Sequence, residues 1–220
     1  MHKDVQPASG TVWNAWHFNL GDHWATMNYM VCRSFVLREE VKLSRFQHGV
    51  DFGPRFREIL GLLDTPDRSC VSIVEDKGTQ DPCGYAIWDA PSCPTKLRWT
   101  PGKRKSRVCF QFDGISSAES KNPTLLDEKR ILEELAVCAD PIKVGRHQTL
   151  GAVVQEMANS DLFIGCDSGM SHIAHSVGVP MIIVQYKLPV ITAHRQKHYL
   201  CAHGTDDLLL KIRAYLDQDR

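Results

Sequence analysis

Nowhere does this 220-residue chain carry the roughly 20 consecutive apolar residues that a membrane-spanning helix requires. Its first residues, Met1-His2-Lys3-Asp4-Val5-Gln6-Pro7, hold no apolar signal core, so a cytoplasmic location is the expectation. An excess of charge of one sign is missing too: 26 Lys and Arg stand against 26 Asp and Glu. A dedicated nucleic-acid binder carries a basic surplus, and the balance argues against one. The single basic run, Lys103-Arg104-Lys105-Ser106-Arg107, reads first as a solvated linker. No C-x-x-C pair occurs among the eight cysteines, Cys32, Cys70, Cys83, Cys93, Cys109, Cys138, Cys166 and Cys201. That excludes a usual zinc spacing, including one built on Cys83 and Cys93, and leaves small buried thiols in a reducing compartment. Internal repeats and low-complexity tracts are also absent.

What remains is ordinary globular material, 43% hydrophobic and 24% charged. Strand and helix patterns alternate. In the first half the expected elements are a strand over Thr11–Phe18, a turn at Asn19-Leu20-Gly21-Asp22 and a helix over His23–Phe35. A strand over Val41–Phe46, an amphipathic helix over Phe52–Leu63 and a strand over Cys70–Val74 follow. Lys77–Pro101 reads as turn-rich connection. From Arg107 the alternation is cleaner. Strands are expected at Arg107–Phe112, Pro141–Val144, Leu162–Cys166 and Met181–Val184. Helices are expected after Asn122-Pro123, after Thr149, after Gly169 and from about Asp206 to Leu216. Such alternation implies right-handed βαβ units and parallel sheets. The expected architecture is α/β: two Rossmann-like lobes across a cleft, a reduced one over residues 1–104 and a second over residues 105–220.

The most informative stretch is Ser160 to Ala174. The apolar run Leu162–Cys166 ends in Asp167-Ser168-Gly169, and a helical pattern begins at once. Ligands of open α/β sheets sit outside the carboxyl ends of strands. A helix N-terminus presents N–H groups and partial positive charge suited to phosphate. Asp167, Ser168, Gly169, Met170 and His172 are therefore the core of a candidate site for a phosphorylated ligand. Two other loops occupy the same kind of place. Gly114 to Lys121 offers the hydroxyls of Ser116 and Ser117 and the compact charge of Lys121, against the plainer reading of a solvated loop. Gly21-Asp22-His23 offers a carboxylate for general-base work, against a helix-capping aspartate and a half-exposed histidine. His172 and His175 share a helix face and, with Asp167, form a weaker metal alternative. Ser168 stands outside any G-x-S-x-G context, which weighs against a serine nucleophile. Trp13, Trp16 and Trp24 read as core, or as the wall of an acceptor pocket.

On these residues the chain resembles glycosyltransferase family 9, the ADP-heptose:lipopolysaccharide heptosyltransferases of the GT-B fold. The match is densest over "SDLFIGCDSGMSHIAHSVGVPMII", where Asp167, Ser168, Gly169, His172, Ala174, Gly178 and Pro180 fit the family pattern. Gly21 and Asp22 fit its opening strand and Gly-Asp turn, and Ser116, Ser117 and Lys121 fit its paired hydroxyls and lysine. The chain is shorter than usual members, mainly in the first lobe, and Arg146 and His147 stand where the family places an acidic ribose contact. The resemblance implies an inverting, metal-independent transfer of a sugar from a nucleotide-diphosphate sugar, which is a substrate; no cofactor is implied. Asp22 would be the base. Ser116, Ser117, Lys121, Asp167, Ser168, Gly169, Met170 and His172 would hold the donor, and Gly21 and His23 would contact substrate. The acceptor stays open among glycan, small molecule, protein and modified nucleic acid. Two alternatives stand beside this reading: a nucleotide-sugar-binding module without activity, and a compact transferase acting on modified DNA bases.

Overall fold

The computed structural model describes residues 11–15, 19–65, 71–80, 92–100, 106–113, 126–185 and 199–217. The chain divides into two compact units, Met1–Cys93 and Pro94–Arg220. The first contains β1 (Val12–Trp13), α1 (Leu20–Leu37), β2 (Val41–Ser44), β3 (Phe46–Gln47), β4 (Val50–Asp51), α2 (Gly53–Leu62) and β5 (Val71–Val74). Strands β1, β2 and β5 form a parallel sheet in that order. The pair β3–β4 is an antiparallel hairpin whose two-residue loop places His48 at φ 47° and Gly49 at φ 81°. Two successive positive φ values are what a type I′ hairpin turn demands. The apolar faces pack as their spacing dictates: Trp24, Met27 and Met30 of α1 are wholly buried, with Phe56, Ile59 and Leu63 from and just after α2.

The helix α1 begins earlier than the Gly-Asp pair suggests. Asn19, extended at φ −86° and ψ 157°, is its N-cap residue. The Asn19 carbonyl accepts the His23 N–H at 3.0 Å, closing a helical turn over Gly21 and Asp22. Those two residues lie in the first turn of α1 and not in a loop before it. An acid there is favoured by the unpaired N–H groups and the dipole of the helix start.

The second unit contains β6 (Arg107–Gln111), α3 (Glu128–Cys138), β7 (Asp140–Lys143), α4 (Leu150–Ala158) and β8 (Leu162–Gly165). It continues through α5 (Gly169–Val177), β9 (Met181–Val184), β10 (Tyr199–Ala202) and α6 (Thr205–Asp217). Its five strands are all parallel, in the order β10-β9-β8-β6-β7. The chain therefore winds outward in both directions from the β6–β8 pair, which is the topological switch point of the sheet. Alternate strand residues Val108, Phe110, Leu162, Ile164, Ile182 and Val184 pack with Ile131 and Leu135 of α3 and Leu208 and Ile212 of α6. β8 and β9 are buried throughout, as strands covered on both faces must be.

Helix boundaries follow their caps. Thr149 accepts the Ala152 N–H at 3.2 Å and starts α4, as its position implies. α3 starts at Glu128, because Asp127 caps it by accepting the Arg130 N–H at 3.0 Å; the expected start at Asn122-Pro123 lies outside the described residues. The four-residue edge strand β10 was not anticipated. The break between units falls ahead of the Pro101–Ser106 stretch. Residues 94–100 belong to the second unit because the Thr95 and Trp99 N–H groups each donate at 3.0 Å to the Ser176 and Val177 carbonyls. These are last-turn carbonyls of α5 that a helix cannot satisfy itself. No helix among the described residues is long and apolar enough to cross a membrane. Cys32, Cys93, Cys109, Cys138, Cys166 and Cys201 are free thiols, the second, third and fifth of them buried; Cys70 and Cys83 lie outside the described residues.

Candidate functional site

At the switch point the two strands meet very closely. Gly165, the last residue of β8, lies in register with Gln111, the last of β6. A Cβ at Gly165 would come within 2.6 Å of the Gln111 carbonyl oxygen and 2.8 Å of the Phe163 ring, so only glycine fits. The next N–H, of Cys166, donates to the same Gln111 carbonyl at 3.2 Å. Burial pushes the Cys166 thiol up to about 11, with the nearby Asp167 and Asp113 carboxylates adding to it. A thiol that stays protonated is a filler and not a nucleophile.

The loop then turns into α5 through a complete capping box. Ser168 is extended, at φ −143° and ψ 179°. Its hydroxyl oxygen accepts the Met170 N–H at 3.3 Å, and the Ser171 hydroxyl accepts the Ser168 N–H at 3.2 Å. Ser171 also donates to the Ser168 carbonyl at 2.7 Å. The Ser168 hydroxyl hydrogen goes to Gln111 Oε1 at 2.7 Å. Asp167 and Met170 are buried at 7% and 6% exposure, and His172 is half-buried one turn into the helix. At its far end α5 stops at Gly178, whose φ of 86° is the left-handed cap that favours glycine. Burial holds the His175 imidazole below its ordinary value, so it is neutral at neutral pH. Among the described residues no three His, Cys, Asp or Glu side chains gather into a metal-binding group. The arrangement is a rigid helix start at the carboxyl rim of a parallel sheet, a place that holds anions.

In the first unit Asp22 is half-buried in the opening turn of α1, and Gly21 before it is buried. His23 is wholly buried, which corrects the expectation of a half-exposed side chain. It is edge-on to Phe52 and Phe56, with ring centroids at 4.7 and 4.9 Å, and its Nδ1 is 3.4 Å from Arg55 Nη1. Trp13 and Trp24 are core at 5% and 0% exposure, and Trp16 lies outside the described residues. The carboxyl rim of the first sheet carries a charged group that sequence reading missed. Arg45 Nε donates to Asp51 Oδ1 at 2.9 Å, Nη2 donates to Asp51 Oδ2, and Nη1 donates to Glu75 Oε1 at 3.0 Å. The Arg45 hydrogen bonds, helped by the Gly53 N–H, hold the Asp51 carboxyl down at about 2.

Ser116, Ser117 and Lys121 lie outside the described residues. Asp167, Ser168, Gly169, Met170 and His172 come together as the spacing implies. Gln111 was missed. Its signal in the sequence is a single amide closing an apolar strand, Val108-Cys109-Phe110-Gln111.

Residues 117–186 match the model of glycosyltransferase family 9 (heptosyltransferase). Comparison with curated proteins finds no match. Among solved structures, the chain is similar to the iron-containing dodecameric glycosyltransferase TibC from enterotoxigenic E. coli H10407. The TM-score is 0.59 at 13% identity, over 88% of this chain and 63% of that one. It is similar also to the dodecameric iron-containing heptosyltransferase TibC in complex with ADP-D-beta-D-heptose, with TM-score 0.56 at 13% identity, over 86% and 61%. E. coli ADP-heptose lps heptosyltransferase II gives a TM-score of 0.53 at 11% identity, over 95% and 99%. At these identities the likeness is one of fold. The chain spans less than two-thirds of the length of the first two.

Proposed function

We propose, from the match of residues 117–186 to the model of glycosyltransferase family 9 (heptosyltransferase), that the chain transfers a sugar from a nucleoside-diphosphate sugar to an acceptor hydroxyl. The observation that carries this reading is the Asp167-Ser168-Gly169 loop, held at the switch point of a parallel sheet on the capped start of α5. The ADP-D-beta-D-heptose in the TibC complex supports the donor class.

In this mechanism Asp22 takes the proton of the acceptor hydroxyl. The acceptor oxygen attacks the anomeric carbon as the bond from that carbon to the diphosphate oxygen breaks. One displacement inverts the anomeric centre and releases a nucleoside diphosphate. The new charge on the leaving diphosphate is met by the N-terminus of α5, by Ser116 and Ser117, and by Lys121. Asp167 accepts hydrogen bonds from sugar hydroxyls. Gly169 and Met170 line the approach to the diphosphate, and His172 supports the loop from the first turn of α5. Gly21 and His23, expected as substrate contacts, are both buried and in this mechanism back Asp22 from the start of α1. No step needs a metal ion.

The test is incubation of the purified protein with a panel of nucleotide sugars and candidate acceptors, followed by detection of released nucleoside diphosphate. Asp22→Ala is expected to lower transfer by roughly 10²–10⁴-fold while leaving donor affinity unchanged. Normal turnover by that variant would overturn Asp22 as the base. Failure of the wild-type protein to bind any nucleoside diphosphate would overturn the donor assignment itself.

A further inference from the structure

We propose that Gln111 is a direct ligand-binding residue of the donor site, its Nε2 donating to a phosphate oxygen of the nucleoside diphosphate. This rests on the donor reading above and adds a residue that the resemblance does not supply. Gln111 is 6% exposed and ends the inner strand β6 at the switch point. A buried carboxamide has one acceptor oxygen and two N–H donors to satisfy. Its oxygen is engaged: Oε1 accepts from the Ser168 hydroxyl at 2.7 Å, with the Cys166 thiol at 3.8 Å. Its Nε2 donates to none of the described residues.

Nε2 is not among the buried side-chain atoms left without a partner, so it keeps contact with solvent and can be offered to a ligand. At the carboxyl end of β6 a carboxamide can serve Ser168 with its oxygen and a ligand with its nitrogen. Covalent geometry puts Nε2 within about 5 Å of the Ser168 hydroxyl that anchors the other end of the same amide. The free donor is thus fixed beside the first turn of α5, where the N–H groups and the helix dipole already favour an anion. The Ser168 hydroxyl spends its one hydrogen on Gln111. In the arrangement seen here Ser168 therefore acts as cap and anchor, and the neutral donor turned toward the phosphate comes from the glutamine. A neutral donor at this place would add a directed hydrogen bond to the diphosphate without adding charge.

The experiment is calorimetric titration of wild-type protein, Gln111→Met, Gln111→Glu and Gln111→Asn with ADP, GDP, UDP, CDP and inorganic pyrophosphate. Thermal melts of each variant accompany it. Gln111→Met, which removes the donor at similar volume, is expected to weaken the diphosphate that binds best by roughly 10- to 100-fold. Gln111→Glu keeps an acceptor for Ser168 but faces the ligand with a carboxylate, and is expected to lose more. Gln111→Asn keeps an amide and is expected to recover part of the loss. Unchanged affinity in the Met and Glu variants would overturn the assignment while leaving the donor site standing. Collapse of their melts would mark Gln111 as structural and overturn it as well. If the wild-type protein binds none of the five probes, the donor reading falls and the Gln111 assignment falls with it.

Discussion

The carboxyl rims of the two sheets are built from different materials. In the second unit the rim is a set of part-buried hydrogen bonds, Ser168 to Gln111, Met170 to Ser168 and Ser171 to Ser168, each partner fixed by the others. In the first unit the rim is charged, and Glu75, one of the two carboxylates that pair with Arg45, has 82% of its side chain in water. Mutually satisfied polar groups with little solvent contact hold one geometry, whereas an ion pair with one partner in water, as Arg45–Glu75 is, is screened and holds its geometry weakly. The lesson is that preorganisation is concentrated where a diphosphate would have to be met at fixed distances.

Four substitutions or conditions sharpen or break this contrast. The largest effect should come from the core of the first unit: Trp24→Ala, at a wholly buried site, should cost about 3–5 kcal/mol in chemical denaturation. A smaller loss would mean that α1 is less firmly packed than its burial implies. Next is the tight strand contact of the second unit. Gly165→Ala drives a Cβ against the Gln111 carbonyl and should cost about 1–3 kcal/mol, together with a loss of nucleoside-diphosphate affinity. Loss of stability with affinity intact would separate the strand contact from the site. Third is the pH response. Burial lowers the folded-state value of His175 below 6.5. Below that pH the unfolded chain takes up a proton that the folded chain resists, so stability is full above about 6.5 and falls as the pH drops through it. Melting temperature should therefore fall from pH 7.5 to 5.5, and His175→Gln should flatten that slope; an unchanged slope would remove His175 as its cause. The smallest effect is expected from Gly61→Ala, in α2 with nothing within 4 Å of the added Cβ. It should raise stability by about 0.5–1 kcal/mol.

Much of the second unit was legible in the sequence because its signals are local. Thr149 caps α4, the Asp167-Ser168-Gly169 loop separates a buried strand from a helix, and Met181–Val184 is an apolar run of strand length. Strand order was not legible, since which strands pair depends on how helices cover the two faces. The meeting of Gln111 with Ser168 depends on that order, and so was hidden. Within a strand window a lone amide is also outvoted by its apolar neighbours. The edge strand β10 escaped notice because four residues give no periodicity to read. In the first unit, Gly21-Asp22 carries turn chemistry, yet Asn19 closes a helical turn over both. His23 was misjudged because its burial comes from Phe52 and Phe56, distant in sequence.

The account's central claim is that the loop from Cys166 to His172, anchored by Gln111, receives the diphosphate. Hydrogen–deuterium exchange with and without the tightest-binding nucleoside diphosphate tests it most directly. The account predicts added protection at the backbone amides of residues 166–172 and at the end of β6. Binding that leaves those amides unchanged and protects a different part of the chain would contradict it.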